Sequence, residues 1–152
     1  MMLHIREATA DDLPQVLALY AQPGLDDGQV LDVDRAREIH AQFARYPNYR
    51  LFVACATEAP EQVLGSYALL VMHNLAHMGT PSAIAEDVVV TTAFRGQGIG
   101  RQMMAHAMEQ ARVAGCYKLA LSSNSKRERA HAFYDNLGFQ RHGYSFVIET
   151  QP

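Results

Sequence analysis

The sequence predicts a mixed α/β fold. Three observations carry that prediction. Apolar residues alternate with polar ones in some stretches and recur at helical spacing in others. A valine-rich segment, Val88-Val89-Val90, feeds a glycine-rich turn. The apolar fraction is 49% over 152 residues, enough for one core and for a single domain spanning 1–152. The predicted order is β-α-α-β-β-β-α-β-α-β-β.

Residues 3–7 alternate as a short strand does. Thr9 or Asp11 can cap the next helix, which tolerates Pro14 in its first turn and puts Leu13, Val16, Leu17 and Tyr20 on one face. The run from Pro23 to Gly28 breaks it. Asp32 or Asp34 can cap a second helix with Ile39 and Phe43 inward, ended by Pro47. Strands follow at 51–56 and 63–72, with a turn over 58–62 between them and Gly65 as a bulge signal. After a loop containing His73, His77 and Pro81, residues 84–91 read as a central strand, apolar on both faces around the valines.

A long helix then runs from the glycine loop to about Ala114. Its inner face is Ile99, Met103, Ala107, Ala111 and Ala114, and Gly115 stops it. Residues 117–122 read as a strand. Ser125 and Glu128 form a capping box for a helix with Ala130, Phe133, Tyr134 and Leu137 inward, and Gly138 ends it. Strands at 139–140 and 144–149, around His142-Gly143, complete the chain.

Composition excludes several classes. A net charge of −3 without a long basic run argues against a nucleic-acid binder. The longest apolar stretches are strand-sized, so no membrane helix is expected. The N-terminus lacks a basic region followed by an apolar core, so no secretory signal is read. Cys55 and Cys116 lack a C-x-x-C spacing and fit two thiols in a reducing compartment, which makes the cytoplasm the expected location. His73 and His77 are four apart but lie in a predicted loop, so no metal site is expected.

The loop Arg95-Gly96-Gln97-Gly98-Ile99-Gly100 carries the chemistry. Glycine permits close approach of a ligand, and free N–H groups at a helix start favour anions. Arg95 and Arg101 can add charge-assisted hydrogen bonds to phosphate oxygens. No Lys-Ser or Lys-Thr follows, so this is not a nucleotide P-loop. A dinucleotide fingerprint fails too, because glycine is missing at the sixth position from either Gly96 (Arg101) or Gly98 (Met103).

The pattern R-x-x-G-x-G after a valine-rich strand, with A-x-x-F-Y-x-x-L-G-F at 130–139, resembles the GNAT superfamily of N-acetyltransferases. The resemblance implies a mixed, mostly antiparallel sheet flanked by helices. It also implies that the loop, from Arg95 through Arg101, binds the pyrophosphate of acetyl-coenzyme A. Val88, Val89 and Val90 would pair with the pantetheine arm, on a strand that splays from its neighbour. Val89 or Val90 would supply the N–H that stabilises the thioester oxygen. Phe133 would also contact the cofactor. Many relatives carry Asn seven residues before the tyrosine; here that position is Arg127, with Asn124 nearby as a substitute.

Tyr134, where similar enzymes place a tyrosine, is the candidate acid for the leaving thiolate. Glu86 is the candidate base, at a position where relatives often carry one. Strand alternation puts residues 84, 86, 88 and 90 on one face and the rival carboxylate, Asp87, on the other. Deprotonation through water is the alternative to either. Residues 122–124, 126–127, 130–131, 133–134 and 144–146 further resemble aminoalkylphosphonate N-acetyltransferases. The expected acceptor is therefore a primary amine of a small molecule. Tyr20, Asp26, Asp27 and His40 are candidate pocket residues, and acidic groups there suit a cationic amine. The competing readings are a peptide or protein N-acetyltransferase and a non-catalytic acyl-coenzyme A-binding module. Glu86 and Tyr134 argue against the second. Homodimers are common among similar proteins.

Overall fold

The computed structural model describes residues 1–123 and 127–151. They form two compact units, Met1–Ala120 and Leu121–Pro152. In the first, β1 (Leu3–Glu7), β2 (Tyr49–Ala56), β3 (Ala59–Met72), β4 (Ser82–Val90) and β5 (Leu119–Ala120) make one sheet in that order. Strands β1 to β4 pair antiparallel, and β5 joins β4 in parallel. The helices of this unit are α1 (Leu13–Tyr20), α2 (Val33–Phe43) and α3 (Ile99–Val113). This is the mixed α/β class that the sequence predicts, with the mostly antiparallel sheet that the family resemblance implies. No helix among the described residues is long and apolar enough to cross a membrane.

The start of α1 rests on Asp12. A 3-10 turn over Ala10–Asp12 precedes the helix. Thr9 N–H donates to Asp12 Oδ2 at 2.8 Å, and Arg6 donates to both carboxylate oxygens at 2.7 and 2.8 Å. Asp11, one of the two expected caps, is exposed. At α2 the cap is Asp32, whose Oδ1 accepts from Arg35 N–H at 2.9 Å. Between β2 and β3 the turn is shorter than expected. It is Thr57-Glu58, and β3 begins at Ala59. The exposed, polar run Glu61-Gln62 hides the start of that strand from an apolar pattern.

One face of the sheet holds Leu51, Val53, Cys55, Val63 and Ala68 against Leu13, Val16, Leu17, Leu19 and Ala36 of the first two helices. The other face meets α3. There Gly65 allows a close approach: a Cβ on it would lie 2.8 Å from Met103 Sδ and 3.3 Å from Ile99 Cγ2. A bulge does sit beside Gly65, since Cys55 pairs with Val63 and Ala54 with Gly65, leaving Leu64 as the extra residue. Along α3, Ile99, Met103, Met104, Ala107 and Ala111 are buried. Ala114, expected inside, is exposed because the helix ends just before it.

In the second unit, α4 (Glu128–Asn136) is followed by Gly138 at φ 92°. Ser125 of the expected capping box lies outside the described residues. The expected strands at 139–140 and 144–149 do not form among the described residues, and β5 covers only part of 117–122. Strand-forming composition alone is insufficient: a strand needs a neighbour to accept its backbone hydrogen bonds.

Candidate active site

The site grows from the end of β4. Thr91 N–H donates to Leu64 O of β3 at 2.8 Å. Backbone groups of successive strand residues point to opposite edges. Val90 accordingly turns its carbonyl away from β3, where Gln22 Nε2 donates to it at 3.2 Å. Its N–H points the same way. On that edge, β5 pairs only with Ala83 and Ile84. Within the first unit, β4 therefore runs without a strand partner from Ala85 to Val90. Of the two expected oxyanion donors, Val90 is the one whose N–H faces this free edge.

A 3-10 turn at Thr92–Phe94 leads to Arg95, and Gly96 and Gly98 follow at φ 78° and 82°. A Cβ at either glycine would meet nothing within 4 Å, so glycine is needed there for the backbone angle rather than for packing. Gly98 is the N-cap of α3, with no side-chain cap and no acidic residue in the first turn. The first N–H groups of this helix lack intrahelical acceptors and carry the positive end of its dipole. Arg95, Gln97 and Arg101 are exposed around them. Free N–H donors, two guanidinium groups and no competing carboxylate fit a pyrophosphate.

The carboxylates differ from the alternation argument. Ala68 of β3 pairs with Glu86 and Ser66 with Val89, so Asp87 and Val88 together oppose the single residue Tyr67. This is a bulge, and Asp87 takes φ 52° to make it. Beyond the bulge the faces exchange. Val89, not Val88, joins Glu86 on the side of α1 and α2, where it packs against their core. Asp87 acts on the same side. Burial lifts the Tyr49 phenol above its ordinary value, and Asp87 and then Glu86 add to the shift. Tyr20 is also pushed up, by burial first and then by Asp87. The Asp87 carboxyl itself is raised, by lost solvation and then by the charge of Asp26. Glu86, Asp87 and Asp26 thus converge with two tyrosines at one end of the sheet face. His40 lies outside this group, in ring contact with Phe43 at 5.5 Å.

The second unit carries Arg127, Phe133 and Tyr134. Arg127 is the exposed N-cap of α4. Tyr134 lies between Phe133 and Phe139, with ring centroids 5.2 and 5.7 Å away. Burial raises its phenol pKa, and Arg127 partly opposes the rise. Asn124 lies outside the described residues. Among the described residues no three His, Cys, Asp or Glu gather as a metal site would. His77, from the pair noted in the sequence, lies in tilted ring contact with Tyr117 at 4.6 Å.

Two features had no sequence signal. Strand alternation puts Asp87 on the opposite face from Glu86, and the bulge that reverses this inserts a residue without altering composition. Gln22 resembles any polar loop residue until its partners are seen.

Fold and loop together define an N-acetyltransferase. The chain belongs to the acetyltransferase (GNAT) family, whose model matches residues 13–139. It is 33% identical over 143 residues to an aminoalkylphosphonate N-acetyltransferase of Salmonella typhimurium, covering 94% of this chain and 88% of that protein. It is 29% identical to an aminoglycoside N(6')-acetyltransferase type 1 of Stenotrophomonas maltophilia, covering 90% of this chain and 85% of that one. A crystal structure described as a transcriptional regulator from Bacillus halodurans superposes with a TM-score of 0.87 at 30% identity, covering 97% and 99% of the two chains. One fold serves differing roles, so the acceptor must be argued from the site.

Proposed function

We propose that this protein is an acetyl-coenzyme A-dependent N-acetyltransferase that acetylates a primary amine of a small molecule by direct attack on the thioester. The observation that carries the reading is the free edge of β4 running into the uncapped start of α3 between Arg95 and Arg101. The family match spans both compact units, which supports one working domain over 1–152. Two unpaired cysteines, Cys55 and Cys116, are consistent with a cytoplasmic setting.

Acetyl-coenzyme A supplies an acetyl group activated as a thioester. The N–H groups of α3, with Arg95, Gln97 and Arg101, hold the pyrophosphate, and residues 88–90 hold the arm. Asn124, Arg127 and Phe133 are the further cofactor contacts. The Val90 N–H stabilises the carbonyl oxygen as the amine nitrogen attacks. An ammonium group must first lose a proton. The Glu86–Asp87 pair is the base, directly or through water; lost solvation and then the charge of Asp26 raise the Asp87 carboxyl, a direction that suits proton abstraction. As the carbon–sulfur bond breaks, Tyr134 O–H would give the thiolate its proton, and the second proton shed by the acetylated nitrogen would return through water to the Tyr134 phenolate. Asp26, Glu86 and Asp87 favour an amine that arrives as a cation. Aminoalkylphosphonates and aminoglycosides, named for two relatives, are the first acceptors to test.

A thiol-release assay against a panel of amines tests the reading. Turnover with a small amine is expected, and whichever of Glu86→Gln and Asp87→Asn removes the group that takes the proton should reduce kcat about 100-fold or more. Tight coenzyme A binding without turnover of any amine would refute the catalytic reading.

A further inference from the structure

We infer that Gln22 is a positioning residue whose side-chain amide fastens the end of α1 to the end of β4, at the junction from which the glycine loop departs. Gln22 lies two residues past α1. Its Nε2 donates to Leu19 O at 3.1 Å and to Val90 O at 3.2 Å, while Oε1 accepts from Thr92 N–H at 2.8 Å. A backbone N–H can only donate, so Thr92 fixes which end of the amide faces it. Both amide hydrogens are then in use.

The contact imitates one rung of a sheet. Val90 O and Thr92 N–H are the groups that a neighbouring strand would engage on this edge of β4. Leu19 O is among the last carbonyls of α1, and it also accepts from Gln22 backbone N–H at 3.2 Å, so the side chain and backbone of Gln22 close the helix end together. The same loop continues to Asp26, whose charge raises the Asp87 carboxyl. One side chain therefore registers the segment bearing Asp26 against the strand bearing Asp87 and Val90.

The functional consequence rests on the acetyl-transfer reading. Without the clamp, residues 90–92 sample more conformations, and donor binding must supply the ordering. Gln22→Met keeps the length of the side chain and removes all three hydrogen bonds. Its Kd for coenzyme A by calorimetry, well below the melting point, is expected to rise about tenfold. A residue serving stability alone would lower Tm and leave that Kd unchanged. Gln22→Glu retains the bond from Thr92 but has no hydrogen for Val90 O until it is protonated. Its affinity, compared with wild type at each pH, should recover toward the acid side, while that of Gln22→Met should not.

Amide hydrogen exchange at Thr92 reads the clamp with no ligand present and should accelerate in Gln22→Met. Unchanged exchange at Thr92 overturns the inference. So does coenzyme A affinity within about twofold of wild type. Failure of wild type itself to bind coenzyme A overturns the acetyl-transfer reading instead, and the Thr92 exchange still decides the clamp.

Discussion

The phenolic oxygen of Tyr67 lies 2.6 Å from Nδ1 of His106, joining β3 to α3 inside the core. Tyr67 is fully buried, and burial lifts its phenol well above the ordinary range, so it keeps its proton and pairs with the His106 imidazole as a neutral phenol. Burial first, and then Arg50, hold His106 below its ordinary value of 6.5. The unfolded chain takes up this proton at a higher pH than the folded one. Stability from this group is therefore complete above the unfolded value and declines as the pH falls through it toward the folded value. Urea melts should show that decline, and His106→Asn should flatten it. An equal slope in both proteins would rule this source out. Tyr67→Phe should cost about 1 kcal/mol at neutral pH.

Asp12 gives a second acid-sensitive element. The hydrogen bond from Arg6 depresses its carboxyl, against a smaller opposing effect of burial. Its contribution is present above the ordinary carboxylate range and is lost as the pH drops from there through the folded value. Asp12→Ala leaves Arg6 unpaired and the entry to α1 unsupported. The Arg6 side chain remains 31% exposed, which screens the pair. The expected cost is about 2 kcal/mol, between that of exposed and buried pairs. A thermal shift below a degree would contradict this.

Asp26 offers a way to test the base without touching it. Removing its charge, as in Asp26→Asn, takes away one of the two influences that raise Asp87. A base works only when deprotonated, so a raised carboxyl moves the acid limb of the kcat profile to higher pH. In Asp26→Asn that limb should shift to lower pH. An unmoved limb would detach Asp87 from the rate-limiting proton transfer.

If the Tyr134 hydroxyl acts on the leaving group, as proposed, Tyr134→Phe should lower kcat with a change of less than about twofold in coenzyme A Kd. The raised phenol pKa keeps the acid form available well into alkaline solution. Wild type should therefore show no alkaline loss below the ordinary tyrosine value. Parallel losses in kcat and affinity would reassign Tyr134 to packing.

Periodicity makes the elements from β1 through α3 legible, because each buries one face and the burial dictates the pattern. The glycine loop is legible for a similar reason. Positive φ at Gly96 and Gly98 restricts which residue can stand there. What escapes is structure set by pairing across distance. The bulge at Asp87 depends on how Tyr67 of β3 is opposed, and neither residue signals it locally. Gln22 acquires meaning only from carbonyls contributed by α1 and β4. The apolar, β-branched and aromatic run from 144 to 149 reads as a strand, yet the described structure gives it no partner.

The bulge has a further consequence, for solubility. An unpaired strand edge ending in three valines is a template on which another copy of the chain could stack. The extra residue kinks the edge, and two adjacent carboxylates, Glu86 and Asp87, put like charges on any copy that approaches in register. The irregularity that sets Asp87 near Tyr20 and Tyr49 also discourages this edge, which has no strand partner within the first unit, from recruiting its own kind.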